Sequence, residues 1–339
     1  MNTSQKNNAV LCAIINWNGW QDTIVCLESF FQLSDQPNYL VICDNNSSDN
    51  SFENLSNWIA TNYKTITSPT TTISGVGSVL SISGDFSRTI QTIHILRFIS
   101  NFGYAGAINR CIRWGQSSLS VHNFWLLNND VKFDPHAFRG LVDASKSSPN
   151  MGLCGSVLLD WDRPETIQAV GGIFNRWIGT AQHLKNRPDP NFEPNGIFFG
   201  VDYPVGASLF VTKEYLEAVG TMDDGYFLYY EEMDWAERGR RRGFRPAVAL
   251  RSLVQHKEGA STGSRGSVRN KSLLSEHYGV INRLRITQKF WPRYFPVVWG
   301  SLWLVILDRL IHGEWTRARL VLRLMFSPQY WILKKKEHE

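Results

Sequence analysis

The 339-residue sequence has no CxxC pair, no G-x-x-x-x-G-K-[ST] loop, no G-x-G-x-x-G after its first apolar run and no internal repeat of solenoid period. Each absence removes a class. Without a P-loop, NTPase chemistry loses support; without the dinucleotide fingerprint, so does a Rossmann-like dehydrogenase or methyltransferase. A sugar nucleotidyltransferase would want a glycine-rich, basic loop after the first strand, where "NWNGWQD" stands instead. The five cysteines, at 12, 26, 43, 111 and 154, are odd in number and sit mostly inside apolar runs, so they read as reduced core thiols of a cytosolic protein. "MNTSQKNN" has no charged n-region, and the "AVLCAII" after it is strand-sized, so no secretory signal is expected. Neither sign of charge is in large excess: 35 Lys and Arg stand against 30 Asp and Glu, a modestly basic net +5. That balance suits nucleotides, diphosphates or an acidic membrane surface. With no aromatic-interleaved basic ladder, a nucleic-acid partner is not expected.

What is present is ample core-forming material, 43% hydrophobic and 13% aromatic. Short apolar runs ("AVLCAII", "YLVIC", "TIHILRFI", "HNFWLL", "MGLCGSVLL") alternate with helical stretches such as "QDTIVCLESFFQL". This alternation predicts an α/β fold with a mostly parallel, Rossmann-like sheet flanked by helices, whose ligand crevice lies at the carboxyl ends of the strands. There the runs end in "NWNG", "DNNSSD", "SNFGYAG" and "NND", four polar clusters that should converge on one edge. Residues 61–90, rich in Ser, Thr and Gly, read as an inserted hairpin or flexible loop. Beyond about 261 the chain becomes basic, aromatic and helical. The expected division is 1–260 (halves of about 1–131 and 132–260) followed by 261–339 as a helical appendage.

In an extended segment, residues i and i+2 face one side, so Asn128 and Asp130 can offer two oxygens to a hard divalent cation at the mouth of the sheet. An ordinary turn would use the same residues. Asp44, at a strand tip, is placed to accept from a ribose hydroxyl or a base N–H, while Ser48 or Asp49 can cap the following helix. "NFGYAGAIN" supplies glycines for close backbone approach and a helix N-terminus that favours phosphate. In "FLYYEEMDWAERGRRRGF", Glu231, Glu232 and Asp234 open a helix that stops near Gly243. Asp234 and Arg238 are spaced for an ordinary i,i+4 ion pair; Glu232 has Ala236 at that spacing, which leaves it as the candidate reactive carboxylate. His256 ends a β-like run, where a lone histidine is either structural or a metal ligand. The run "VVWGSLWLVIL" (297–307) would reach only about 16 Å as a helix, too short to span a bilayer. It reads as a buried core helix or as an interfacial segment with basic flanks.

Taken in order, "IINWNGW", "ICDNNSSDNS", "NFGYAGAIN", "LLNNDV", "VGASLFVTKEYLEAVG", "FLYYEEMDWAERGRRRGF" and "HKEGAST", with "EHYGVINRLRITQKFWP" after them, resemble family 2 inverting glycosyltransferases, particularly rhamnosyltransferase-like members. The resemblance covers about residues 9–292 and implies the nucleotide-diphospho-sugar (GT-A) fold. It implies a donor site made by Asn16, Asn18, Asp44, Asn46, Asn101, Gly103, Asn109, Asn128 and Asn129, with Asp44 reading the base. Asp130 and His256 would hold Mg²⁺ or Mn²⁺, and Glu232 would be the base, with Asp234 as runner-up. Gly206, Tyr229, Glu231 and Asp234 would shape the acceptor side. The usual Glu-Asp pair is Glu-Glu here, which lengthens the base by one methylene. The implied partners are a dTDP-, UDP- or GDP-linked donor and a glycan or lipid-linked saccharide acceptor. The implied setting is surface polysaccharide synthesis by a cytoplasmic protein held peripherally on the inner face of the membrane. The rival readings are a non-catalytic membrane-surface scaffold on the same fold, or a nucleotidyltransferase.

Overall fold

In the computed structural model, residues 9–257 and 272–327 are described. The chain divides into two compact units. The first takes in Met1–Ile173, His183–Phe227 and Glu231–Ser261; the second takes in Phe174–Gln182, Leu228–Tyr230 and Thr262–Glu339.

The chain begins β1 (Val10–Asn16), α1 (Trp20–Phe30), β2 (Tyr39–Asp44), α2 (Ser51–Asn62), β3 (Thr65–Thr67), β4 (Thr71–Ile73), β5 (Gly77–Gly84), β6 (Thr92–Phe98), α3 (Gly103–Leu119), β7 (Asn123–Asn128), β8 (Val131–Phe133) and α4 (Ala137–Ser147). It continues β9 (Leu153–Asp160), β10 (Ile167–Ala169), β11 (Gly172–Asn175), β12 (Thr180–His183), β13 (Ile197–Phe198), β14 (Ser208–Val211), α5 (Lys213–Val219), α6 (Glu231–Arg240) and β15 (Ala247–His256). Three helices follow: α7 (Leu273–Phe290), α8 (Phe295–Ile311) and α9 (Trp315–Met325).

The first unit is built on a 13-stranded sheet in the order β13-β15-β9-β14-β7-β1-β2-β6-β5-β3, with β10, β4 and β8 added off that path. Its centre, β7-β1-β2-β6, is parallel. β1 is buried along its whole length, as an unbroken apolar run must be when helices cover both faces of a parallel sheet. Helices contribute single stripes: α2 buries Leu55 and Ile59, four residues apart, and its first amide, Ser51 N–H, donates to Asp49 Oδ1 at 3.0 Å. The Ser/Thr/Gly-rich 61–90 stretch is a hairpin system, with β5 running antiparallel to β6 from Gly77↔Phe98 to Ser83↔Thr92 and extending that side of the sheet. The five cysteines are free and buried.

Register brings the strand ends together. Asn16 pairs with Asp44, Ile15 with Asn128, and Asp44 with Arg97. The chain departs from β1 toward β2 on one side and receives β7 on the other, so the order reverses at β1, where open α/β sheets leave a crevice.

In the second unit α7, α8 and α9 share a core of Val280, Ile281, Leu284, Val298, Leu302, Ile306, Val321, Leu324 and Met325. Phe174 stacks on Trp291 at 4.8 Å, and Arg283 Nε donates to the Ile178 carbonyl at 2.8 Å. Tyr229 and Tyr230 are both left-handed (φ 67° and 72°). Two such residues in a row carry strain that needs outside support. The Asn282 amide supplies it, donating to the carbonyls of Leu228 (2.8 Å) and Tyr229 (3.1 Å). The apolar run expected to stop at 297–307 belongs to a longer helix, Phe295–Ile311, about 25 Å at ~1.5 Å per residue. The basic continuation after Ser327 lies outside the described residues.

Candidate active site

Four loops leave the carboxyl edge of the parallel strands, and asparagines tie them to one another. Asn16 is fully buried at the tip of β1. Its Nδ2 donates to Asp44 Oδ1 (3.0 Å) and Ser47 Oγ (3.2 Å), and its Oδ1 accepts from Thr23 Oγ1 (2.9 Å) and Asn129 Nδ2 (3.1 Å). Asn129 also donates to the Gly19 carbonyl (2.9 Å), so this residue brackets the β1 loop to the β7 loop. Asn18, left-handed at φ 51°, accepts from Ser48 N–H at 2.7 Å while its own amide donates to Ser47 Oγ at 2.9 Å. Asn45 is buried and was not singled out by the sequence. Its side chain donates to Asn101 Oδ1 (2.9 Å) and accepts from Phe102 N–H (3.0 Å), joining the β2 loop to the β6 loop. Asn101 Oδ1 accepts a second time, from Gly103 N–H at 2.9 Å. Asn46 beside it is left-handed (φ 61°) and exposed.

Asp44 closes this network. Its Oδ1 is held by Asn16, while Oδ2 is buried with no hydrogen-bond partner among the described residues. Burial pushes its pKa up, and the donors on Ser47 and Asn16 temper the rise. An orphaned carboxylate oxygen at a strand tip is an acceptor waiting for an N–H or O–H.

Gly103 has φ +69°, and a Cβ there would lie 2.3 Å from the Phe227 carbonyl oxygen, so here the glycine serves close approach of the 227 backbone. Asn109 is not at the edge. It is buried within α3, and both ends of its amide are taken by the Met222 backbone, at 2.8 and 3.0 Å.

Asp130 follows β7 and is buried, with its Oδ1 3.5 Å from His256 Nε2. The two are neighbours because β8 pairs with β15, Val131 opposite His256, and Lys257 N–H donates to the Asp130 carbonyl at 3.0 Å. Burial alone would raise the Asp130 pKa; the hydrogen bond and charge of His256, with Lys257 nearby, hold it below the usual carboxylate value. Gln168 orients the imidazole: His256 Nδ1 lies 2.8 Å from Gln168 Oε1, and Gln168 Nε2 donates to the His256 carbonyl at 3.1 Å. Gln168 holds the Nδ1 side of the imidazole, so Nε2 is the ring nitrogen that faces Asp130 and the one that would ligate a metal. Nothing in the local sequence around Gln168 signals this, since it lies 88 residues away on β10. Among the described residues no cluster of three or more His, Cys, Asp and Glu side chains converges. A cation held by Asp130 and His256 would complete its shell with phosphate oxygens and water, a donor set that fits Mg²⁺ or Mn²⁺. Asn128 lies in the same turn, half-buried, its N–H donating to the Ala207 carbonyl at 3.1 Å.

That bond leads to the third part. Gly206 precedes β14, the antiparallel neighbour of β7; its carbonyl accepts from the Tyr104 hydroxyl, and a Cβ on it would lie 3.6 Å from Glu232 Oε1. Glu231 and Glu232 open α6, and each has a buried Oε2 without a hydrogen-bond partner among the described residues. Burial and the neighbouring Glu232 charge hold Glu231 well above the usual carboxylate range. Glu232 is raised by burial, partly offset by backbone N–H groups including that of Gly206. Asp234 differs in kind: it is fully buried and paired to Arg238 Nε at 2.8 Å, while Arg238 also donates to the Val219 and Thr221 carbonyls. It is a structural ion pair, the geometry its i,i+4 spacing suggests. Tyr229, expected beside these acids, belongs to the second unit.

A cavity of about 520 Å³ lined by Leu33, Arg88, Phe138, Arg139 and Lys146 sits at the opposite end of the sheet, by the turn that feeds β6.

No protein-family profile matches the chain. Among curated proteins it is 27% identical over 194 residues to the N-acetylglucosaminyl-diphospho-decaprenol L-rhamnosyltransferase of Mycobacterium tuberculosis, an alignment over 50% of this chain and 61% of that one. It is 26% identical over 177 residues to the low-salt glycan biosynthesis hexosyltransferase Agl10 of Haloferax volcanii, over 50% and 55%. The alignments thus span little more than half the length of these relatives. Of solved structures, GalNAc-T7 with UDP, GalNAc and Mn²⁺ superposes with a TM-score of 0.61 at 14% identity, covering 86% of this chain and 50% of that one. The chain has the GT-A glycosyltransferase fold. The GT-A mannosyltransferase PcManGT from Pyrobaculum calidifontis, in complex with GDP-Man and Mn²⁺, matches 95% of the chain and 87% of its own with a TM-score of 0.50 at 11% identity.

Proposed function

We propose that the protein is an inverting glycosyltransferase that moves a hexose, rhamnose in the first instance, from a nucleoside-diphosphate donor to a hydroxyl of a saccharide or lipid-linked glycan. The observation that carries this is that Asp130 Oδ1 lies 3.5 Å from His256 Nε2 just past β7, while Glu232, beside Gly206 ahead of the neighbouring strand β14, has a buried Oε2 with no hydrogen-bond partner among the described residues. The rhamnosyl- and hexosyltransferase relatives support the reaction class.

On this reading the base and ribose lie against the β2 and β6 loops, where Asp44 Oδ2 accepts from the base and Asn18, Asn46, Asn101, Gly103 and Asn128 line the donor. Asn16 and Asn129 act one layer below, holding Asp44 and the β1 loop in place. A divalent cation, when bound by Asp130 and His256, supplies charge neutralisation for the departing diphosphate. Glu232 takes the proton from the acceptor hydroxyl; that oxygen bonds to the anomeric carbon as the bond to the diphosphate breaks on the opposite face, and the configuration inverts. The raised pKa of Glu232 makes it a stronger base than a solvated carboxylate once ionised. Gly206 and Tyr104 wall this side, with the Glu231 carboxylate near enough to act on the Tyr104 hydroxyl. A lipid-linked acceptor places the protein at a membrane surface, on the cytoplasmic side where nucleotide sugars are made.

The test is a screen of dTDP-, UDP- and GDP-sugars with Mn²⁺, read by thermal shift and by slow nucleoside-diphosphate release, followed by Glu232→Gln. Retained donor stabilisation with turnover reduced by ~10²–10⁴-fold is expected. A Glu232→Gln protein that turns over normally, or a wild type that releases no nucleoside diphosphate from any donor, would refute it.

A further inference from the structure

The outward faces of α8 and α9 carry large apolar side chains that nothing in the described structure covers. On α8, Val297, Trp303, Leu304 (70% exposed), Leu307 and Ile311 (71%) recur along one side of the helix, while Val298, Leu302 and Ile306 face the shared core. On α9, Trp315 (69%) and Leu322 repeat at helical spacing and lead to Phe326 (63%), which caps the helix. The two rows meet where Trp299 touches both Trp303 and Phe326, with its Nε1 donating to the Met325 carbonyl. A patch of this kind marks an interaction surface.

The charges decide what it fits. Arg309 and Arg317 turn inward, clamping Glu276 on α7 and Glu314 ahead of α9. Arg319 and Arg323 lie in the same row as Trp315, Leu322 and Phe326, exposed and with no ion-pair partner among the described residues. Apolar side chains alternating with unpaired arginines on one helix face suit the boundary between lipid headgroups and acyl chains. A protein partner's apolar core would leave both guanidinium groups desolvated without a counter-charge.

We infer that α8 and α9 form a hairpin that lies in the plane of an anionic bilayer, with Trp303, Leu304, Leu307, Ile311, Trp315 and Phe326 entering the acyl boundary and Arg319 and Arg323 at the lipid phosphates. This deepens the membrane contact in the proposed function by naming the surface and the lipid class. Pro292–Ile311 is, by length and composition, apolar enough to cross a membrane. Crossing would break the packing of α8 on α7 and α9 or carry Arg309, Arg317, Arg319 and Arg323 into hydrocarbon, at about 2.5–3.5 kcal/mol each at its centre. An in-plane hairpin keeps both the core and the clamp.

The test is co-sedimentation of the full-length protein with vesicles of phosphatidylcholine alone and of equal parts phosphatidylcholine and phosphatidylglycerol, for wild type, Arg319→Glu/Arg323→Glu and Trp315→Ser/Phe326→Ser. Apart from the contact of Phe326 with Trp299, the altered side chains are exposed, so circular dichroism should not move and melting temperature should shift little. Wild type should bind anionic vesicles and leave them in alkaline carbonate. The charge reversal should cost about 30-fold or more, and the aromatic double variant should also lose binding. Unchanged binding of the charge-reversal variant would overturn the proposal, as would resistance to carbonate extraction. So would a wild-type dimer that the aromatic variant converts to monomer without a change in vesicle binding, the mark of a second copy on this face. Nucleoside-diphosphate release, read in parallel without vesicles, reports separately on the catalytic reading.

Discussion

Replacing Asn16 with alanine separates two roles that the sequence could not. If Asn16 were a donor-contact residue, the substitution would weaken nucleotide binding and leave the fold alone. The structure makes it a buried hub, and the cost can be followed partner by partner. Thr23 Oγ1 keeps the Gly19 carbonyl at 3.1 Å, and Asn129 Nδ2 keeps the Gly19 carbonyl and Thr23 Oγ1. Ser47 Oγ still accepts from Asn18 N–H. The Asp44 carboxylate bears the loss: its Oδ1 loses the Asn16 donor, Oδ2 has no partner among the described residues, and Ser47 is left as its remaining donor. An orphaned buried acceptor costs about 1–3 kcal/mol, at the upper end for a charged one. The released Ser47 hydroxyl can turn toward Asp44 and recover part, so we expect about 2 kcal/mol. For a unit of this size that is a fall in melting temperature of roughly 4–8 °C. Urea unfolding of the apo-protein measures it directly, and calorimetric titration of the best donor nucleotide shows the accompanying loss of affinity. A loss of affinity with unfolding free energy within about 0.5 kcal/mol of wild type, the range of ordinary surface changes, would refute the hub assignment.

Asp234→Asn should lower stability by up to about 3 kcal/mol through the broken buried pair with Arg238, while the surviving folded fraction turns over normally; normal stability with dead catalysis would move the base to Asp234. Glu231 is held protonated above the usual carboxyl range, so between the unfolded carboxyl value of about 4.3 and its folded pKa the native state binds the extra proton, and its contribution to stability falls as pH rises. Glu231→Gln should flatten that decline in urea midpoints measured from acid to neutral pH, and an unaltered slope would count against it. Gln168→Leu should free the His256 ring and weaken Mn²⁺ binding by roughly 10–100-fold, with activity restored at high Mn²⁺. Unchanged metal affinity would show that Gln168 does not orient the ligand.

Much of the architecture is legible in local pattern. Strand-length apolar runs that end in Asn and Asp clusters specify β1, β2 and β7 and the edge where they stop, because a strand buried on both faces has to be apolar along its length and its loops have to satisfy backbone groups at the surface. The i,i+4 spacing of Asp234 and Arg238 already contains their ion pair. What local pattern does not carry is which of several chemically identical asparagines faces inward. Asn16, Asn45, Asn109 and Asn129 differ from Asn18 and Asn46 only in burial and partner, and those partners lie up to 113 residues away. Gln168 meets His256 only through the pairing of β10, β9 and β15, a register set by the whole sheet. The ends of α8 were equally hidden, since its bare face resembles a core stripe until α7 and α9 choose the side they cover. Residue type and spacing thus determine which chemistry the edge can offer; long-range pairing and burial, which depend on contacts no short window contains, decide which side chains are free to offer it.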